Sequence, residues 1–287
     1  MMNLKTIRPL THDDLRRRVP SAYAETPFHG VSERYEYIPS YPLLDVMFDN
    51  GWQAIEAYES RARIAEKQGK TRHLVRLVHP DFKTSSLKVG DTFAAITFVN
   101  SHDATGAYKL MESLFRLACS NGMIRNAGEQ SVMSIRHNRR AVERMREEMP
   151  VLLGNAANAA ALVEEMADVT LTEVERGVFA LAASELRWVP EIREEQNGDE
   201  TIITKVSTAP VRPDRLLTVR RQQDNAERDT LWGTLNIVQE NIMQGGLRGV
   251  NANGGRTTTR AVHNVQEDVR LNRALWTLAE EMKKLKA

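Results

Sequence analysis

The spacing of apolar positions changes several times along the chain. In residues 1–30, Pro20, Pro27 and Gly30 interrupt any helix longer than a few turns, which predicts an N-terminal arm. Tyr35, Tyr37 and Tyr41 lie among polar residues and prolines and read as an extended segment. From Pro42 to Gln68, Leu43, Leu44, Met47, Ile55 and Ile64 recur at roughly helical spacing, with an interruption at Asn50-Gly51. That pattern predicts two helices or one broken helix. His73 to Val78 alternates as a strand does and stops at Pro80, and Thr92 to Val99 is rich in β-branched and aromatic residues. The pair predicts an antiparallel hairpin with a long loop around Asp81–Ser86. Leu110, Met111, Leu114, Leu117 and Ala118 then fit the buried face of a helix ending at Asn121-Gly122.

The rest of the pattern is mainly helical. Helices are predicted over Ser134–Glu148, Ala156–Met166, Thr172–Trp188, Thr230–Met243 and His263–Lys286, with Thr170 or Thr172 capping the third. Asn197-Gly198-Asp199 reads as a turn before a short strand at Thr201–Val206. Gln244–Thr259 contains Gly245, Gly246, Gly249, Gly254 and Gly255 and no acid, the composition of a mobile loop. The fold class is therefore α+β: a small antiparallel sheet packed on a helix, followed by a mainly helical C-terminal half. The expected divisions are an arm (1–30), an α+β core with a basic groove (31–160), and a helical region with its Gly-rich loop (161–287).

Composition narrows the class. The 287 residues suffice for a sizeable core, and no apolar run approaches the length of a membrane helix. Residues 1–20 are polar and carry Arg16-Arg17-Arg18, unlike a secretory signal. The single Cys119 excludes an intramolecular disulfide framework and a multi-cysteine zinc site. A cytoplasmic protein without a membrane partner is expected. The net charge of +1 conceals segregation: 61–146 has a balance of +9, 161–200 of −8, and 201–287 of +5. Two basic stretches around an acidic one are the footprint of a polyanion binder, unless the charges are scattered over solvated faces.

The densest chemical motif is Phe98-Val99-Asn100-Ser101-His102-Asp103, at a predicted strand-to-helix turn. There Asn100 and Ser101 would hold a phosphate at a helix N-terminus. Alternatively, His102 and Asp103 would hold a divalent metal with His73, His79 or Asp81, or Ser101 or Asp103 would simply cap the helix. Cys119 ends an apolar face and reads as a buried hydrophobe rather than a nucleophile. No Walker-type loop, nucleophile elbow or zincin helix occurs, so no cofactor, resident metal or catalytic residue is assigned. Arginine forks suit phosphates. The candidate DNA contacts are Arg72, Arg76, Arg116, Arg125, Arg136, Arg139 and Arg140, with Asn100, Ser101 and His102, and with Arg248 and Arg256 on the Gly-rich clamp. Tyr108, Phe82 and Tyr35–Tyr41 are candidate stacking surfaces.

Asn100-Ser101-His102-Asp103 followed by Arg116-Leu117-Ala118-Cys119-Ser120-Asn121-Gly122 resembles the signature of the phage/plasmid-like protein family, a domain of unknown function. Leu231-Trp232-Gly233-Thr234-Leu235-Asn236 and Asn272-Arg273-Ala274-Leu275-Trp276 resemble its C-terminal part, so the likeness spans Tyr35 to Glu281. It departs at Ala104-Thr105, where members commonly read Gly-Ser. The resemblance implies an accessory phage or plasmid protein acting near recombination and replication. At the level of fold, a hairpin, a packed helix and a basic groove also resemble single-strand annealing recombinases. The expected function is binding of single-stranded DNA and annealing of complementary strands in homologous recombination, by a homo-oligomeric ring or filament. A phage exonuclease or a host single-strand-binding protein is a further expected partner. The alternatives are a metal-dependent nuclease centred on His102 and Asp103, or an inhibitor of a host defence protein whose acidic stretch Glu164–Glu200 imitates DNA.

Overall fold

Every central strand of this protein carries apolar residues on both faces, and the architecture follows from covering both. A computed structural model describes residues 8–29, 37–84, 92–103, 106, 108–116, 121–124, 132–135, 138, 140–197, 200–251 and 254–286. Residues 1–164 with 263–269 form one compact unit, and residues 165–262 with 270–287 form another. The first unit holds α1 (His12–Arg18), α2 (Tyr41–Asp49), β1 (Gln53–Glu59), β2 (His73–Thr84), β3 (Thr92–Asn100), β4 (Tyr108–Arg116), β5 (Asn121–Ile124) and β6 (Val132–Ile135). The helix α3 (Ala141–Asp168) follows. The strands make an antiparallel sheet in the order β1-β2-β3-β4-β5, and β6 pairs with β4.

One sheet face presents Val75, Leu77, Ile96, Phe98, Tyr108 and Leu110 to a core completed by α1, α2 and the start of α3. The other presents Leu74, Val99 and Met111 to Val265 and Val269, the opening turn of the last helix, α6 (Val265–Lys286). Burying such side chains contributes about 1.5–3 kcal/mol each, so both coverings matter. Arg76 shares the second face with Leu74. It is 3% exposed and ion-paired to Glu56 and, at 2.6 Å, to Asp268. Burial alone would depress its guanidinium pKa, but Asp268 and Glu56 outweigh that and hold it raised.

The antiparallel β2–β3 hairpin and the α+β class agree with the sequence, but β2 runs on through Pro80 to Thr84, where a loop is expected, with a register shift between Val78 and Lys83. The segment after the hairpin does not agree: β4 stands where a helix was expected. Leu110, Met111 and Leu114 imitate helical spacing because this strand is buried on both faces and lacks alternation. The span Pro42–Gln68 is α2 followed by β1, not two helices. Ser134–Met166 is β6 and then one uninterrupted α3 running through Pro150. The N-terminal segment, read as an arm, contributes Leu15, Val19, Ala22 and Tyr23 to the main core.

The second unit contains α4 (Glu173–Arg187), the hairpin β7 (Glu191–Asn197)–β8 (Glu200–Val206), α5 (Leu231–Gln244), the hairpin β9 (Arg248–Val250)–β10 (Arg256–Thr258), and most of α6. Thr172 caps α4 as expected, in a reciprocal capping box with Glu175. Residues Leu231 to Met243 of α5 are all buried, polar ones included. Gln239 donates to Asn272 at 2.6 Å, Asn241 accepts from Arg220 at 2.6 Å, and Glu240 pairs with Arg221 at 2.6 Å. Gly233 permits this packing: a Cβ there would lie 1.8 Å from the Glu227 carbonyl. The Gly-rich segment, expected as a mobile loop, is the β9–β10 ribbon. Arg248 and Arg256 are exposed on its one open face, while Gly249 lies against the Pro210 carbonyl.

Candidate nucleic-acid interface

At one end of the sheet, residues 60–72 connect β1 to β2. The connection is closed by Ser60 N–H donating to the Arg72 carbonyl at 2.8 Å and turns at Gly69, whose φ is 71°. His102 N–H, just beyond β3, donates to the Lys70 carbonyl at 3.1 Å, and Phe28 N–H donates to the His102 carbonyl at 3.0 Å. Three separate segments are thus tied together by backbone bonds.

Beneath them lies a buried polar cluster. Ser40 Oγ meets His73 Nε2 at 2.8 Å, Asn100 Nδ2 at 2.9 Å and His102 Nε2 at 3.2 Å. His73 Nδ1 faces the Thr71 carbonyl at 3.2 Å, and a carbonyl only accepts, so Nδ1 carries the proton. In the neutral imidazole Nε2 then accepts from the Ser40 hydroxyl, while Asn100 and His102 donate to that oxygen. Ser40, His73, Asn100, Ser101 and His102 are at most 1% exposed. Asn100, Ser101 and His102 therefore form the framework of the site and do not present themselves to a phosphate as placed. The expected strand-to-helix anion site is also absent, because Tyr108 begins a strand.

Above the cluster is a cleft of about 400 Å³ lined by Arg61, Arg63, Lys67, Arg72 and Asp103. A second cavity of about 370 Å³ shares Ser60, Arg61, Ala62 and Thr71 with it, so the two make one trough around the connection. Arg61 and Arg63 are exposed. Lys67 Nζ lies 3.2 Å from Asp103 Oδ2. Burial pushes the Arg72 guanidinium pKa down and the nearby Asp103 charge opposes this, yet an arginine remains cationic at any physiological pH. Gly106 lies beside this side chain: a Cβ there would sit 3.2 Å from Ser101 Oγ and 3.4 Å from Arg72 Nη2. Asn264 and Gln266 also line the cleft, so the positive end of α6 is near it. The acidic first turn of α6 opposes that dipole, although Asp268 is engaged by Arg76.

Of the residues singled out in the sequence, Arg72 alone among the described arginines reaches this cleft. Arg76 is an interior ion-pair partner, a correction to its expected phosphate role. Arg116 ends β4, with its backbone opposite Thr92 and Asn121. Arg140 is exposed, 3.6 Å from Glu143. Arg248 and Arg256 belong to the second unit. Arg125, Arg136 and Arg139, with Cys119 and Tyr35, lie outside the described residues. Tyr108 is buried rather than available for stacking.

Arg61, Arg63 and Lys67 do not stand out in the sequence, because the apolar spacing over Pro42–Gln68 reads as helical. The alternation of Arg61-Ala62-Arg63 within a connection between strands was the available signal. Of the donors named for the metal alternative, His73 and His102 meet at Ser40 Oγ. His79 is turned to the Asn50 carbonyl at 3.1 Å, and Asp103 is engaged by Lys67. Among the described residues no three His, Cys, Asp or Glu side chains gather to hold a metal, and no helix is long and apolar enough to cross a membrane.

The family described as domain of unknown function DUF932 matches residues 27–276. Among similar proteins, the UPF0380 protein YfjQ of Escherichia coli strain K12 is 34% identical over 276 residues, which cover 96% of this chain and 92% of the relative. The UPF0380 protein YafZ of the same strain is likewise 34% identical over 276 residues, with the same coverage. No solved structure matches. With a family match over most of its length and relatives aligned almost end to end, the chain belongs to the DUF932 family.

Proposed function

We propose that this protein binds single-stranded DNA through the trough at the end of its sheet and promotes annealing of complementary strands. The observation that carries the reading is the gathering of Arg61, Arg63, Lys67 and Arg72 in one cleft, with Asp103 as its acid. Lysine and arginine side chains bind a nucleic-acid backbone by displacing its counterions, without regard to sequence. A cleft of about 400 Å³ has room for a nucleotide unit. Holding a strand by its phosphates leaves most bases free to meet a complement, and the step requires no nucleotide hydrolysis. A ring or filament of copies would link many weak sites along one strand. The setting in phage or plasmid recombination, with an exonuclease or a host single-strand-binding protein as further partner, belongs to the same proposal.

The test is the salt dependence of binding. Arg61→Ala and Arg63→Ala are surface changes that leave the core intact. Each is expected to weaken binding of a labelled single strand, whatever its sequence, and to lower the slope of log affinity against log salt by about 0.7. Unchanged affinity and slope in the double variant would place the DNA elsewhere.

A further inference from the structure

The trough has two chambers of different character. In the first, Arg63, Lys67 and Arg72 face the space. The second is walled by Ala62, Ala65, Gln68 and Gly69, with Arg61 at the wall it shares with the first. Its carboxylate, Glu59, accepts a hydrogen bond from Ser21 N–H at 3.0 Å and lines the chamber opposite in sign to the cations next door. The charges that attract a phosphate are concentrated in the first chamber, whereas in the second Glu59 offsets Arg61. The second instead offers small apolar surface, from two alanines and a glycine, and a side-chain amide that both donates and accepts. Those are the properties that suit the flat face and mixed donor–acceptor edge of a nucleobase. Gln68 and Ala65 are both exposed, so neither is committed to the core.

We infer that the second chamber is a base-binding subsite: one unpaired base of the bound strand lies against Ala62 and Ala65 with its edge toward Gln68, while its phosphate occupies the charged chamber. This rests on the trough being the nucleic-acid site and adds what part of the ligand each half recognises. It gives the trough a preference for single strands, because a base held in a duplex presents neither its face nor its pairing edge. The amide of Gln68 can meet any of the four bases, so the subsite anchors a nucleotide without reading sequence.

The experiment compares a labelled single-stranded oligonucleotide with an abasic strand of the same length and charge, by fluorescence anisotropy on the full-length protein. Wild type is expected to bind the base-bearing strand about tenfold more tightly than the abasic one, the gain from burying roughly 55 Å² of base surface. Gln68→Ala, and Ala65→Leu which fills the chamber, should each shrink that ratio toward one and leave abasic binding as it was. Arg63→Ala should weaken both strands alike and preserve the ratio. Equal wild-type affinity for the two strands, with salt-sensitive binding still lost in Arg63→Ala, would overturn the subsite and leave the cleft standing. A ratio unchanged in both Gln68→Ala and Ala65→Leu would also overturn it. Failure of wild type to bind either strand would overturn the subsite and the nucleic-acid reading together.

Discussion

Ser40 illustrates how much of the site's geometry depends on a single side chain. Its hydroxyl is the common partner of His73, Asn100 and His102, all buried. An alanine there removes one acceptor and one donor from three interior groups at once. Leaving buried polar groups unsatisfied costs about 1–3 kcal/mol, so Ser40→Ala should lower the unfolding free energy by an amount in that range, read as a lower urea midpoint at unchanged slope. An unchanged midpoint would mean that the three groups find other partners. The cluster gives Asn100 and His102, which stand out in the sequence, an interior hydrogen-bonding role. Polar residues following a strand look alike whether they face water or one another. Only the tertiary structure, which folds Ser40 and Thr71 over them, decides. Asp103, from the same motif, and Arg72 both line the cleft. Arg76 shows the opposite outcome: an arginine two positions from Leu74 shares its buried face, and Asp268, distant in sequence, is what makes that burial possible.

At the level of elements, capping was legible and strand-versus-helix choice was not always so. Thr172 and Glu175 announce the start of α4 by residue type and spacing alone, and the structure contains both reciprocal bonds. Thr172→Ala should cost about 0.5–2 kcal/mol in chemical denaturation. The Thr172 N–H, then Lys286 and the Thr172 hydroxyl, hold the Glu175 carboxyl down at about 2, from an ordinary 4.5. A depressed carboxylate contributes stability that is complete above its unfolded pKa and disappears as pH falls through the folded one. The urea-midpoint gap between wild type and Glu175→Gln should therefore be constant near neutrality and narrow as pH drops from about 4.5 toward about 2. A gap that persists through that window would assign the effect to something other than charge. By contrast, β4 was hidden because a strand covered on both faces has no alternation to read. The helical spacing read over Pro42–Gln68 conceals the very connection that carries Arg61 and Arg63. The N-terminal segment was misjudged for a related reason: Leu15, Val19, Ala22 and Tyr23 are too few to show a period, yet the core takes all four.

For the whole molecule, a formal charge of +1 says little about partners, and the distribution says more. The excess of cations over 61–146 was visible in the sequence, but its gathering point was not. The sheet folds residues 60–72 against Asp103 and the start of α6, and this collects four cations around one opening. Linear order alone could not show which cations would meet, because the residues that bring them together are backbone donors and acceptors at the strand ends. The family relationship fixes the lineage of the fold without supplying a chemistry, so the charge geometry is what supports a polyanion ligand.

The most direct test follows one labelled single strand with full-length protein at two salt concentrations, and then adds the complementary strand. Binding is expected to weaken steeply with salt, and duplex formation to follow faster than in the absence of protein. No binding at low salt, or binding that leaves the rate of pairing unchanged, would contradict the proposed function.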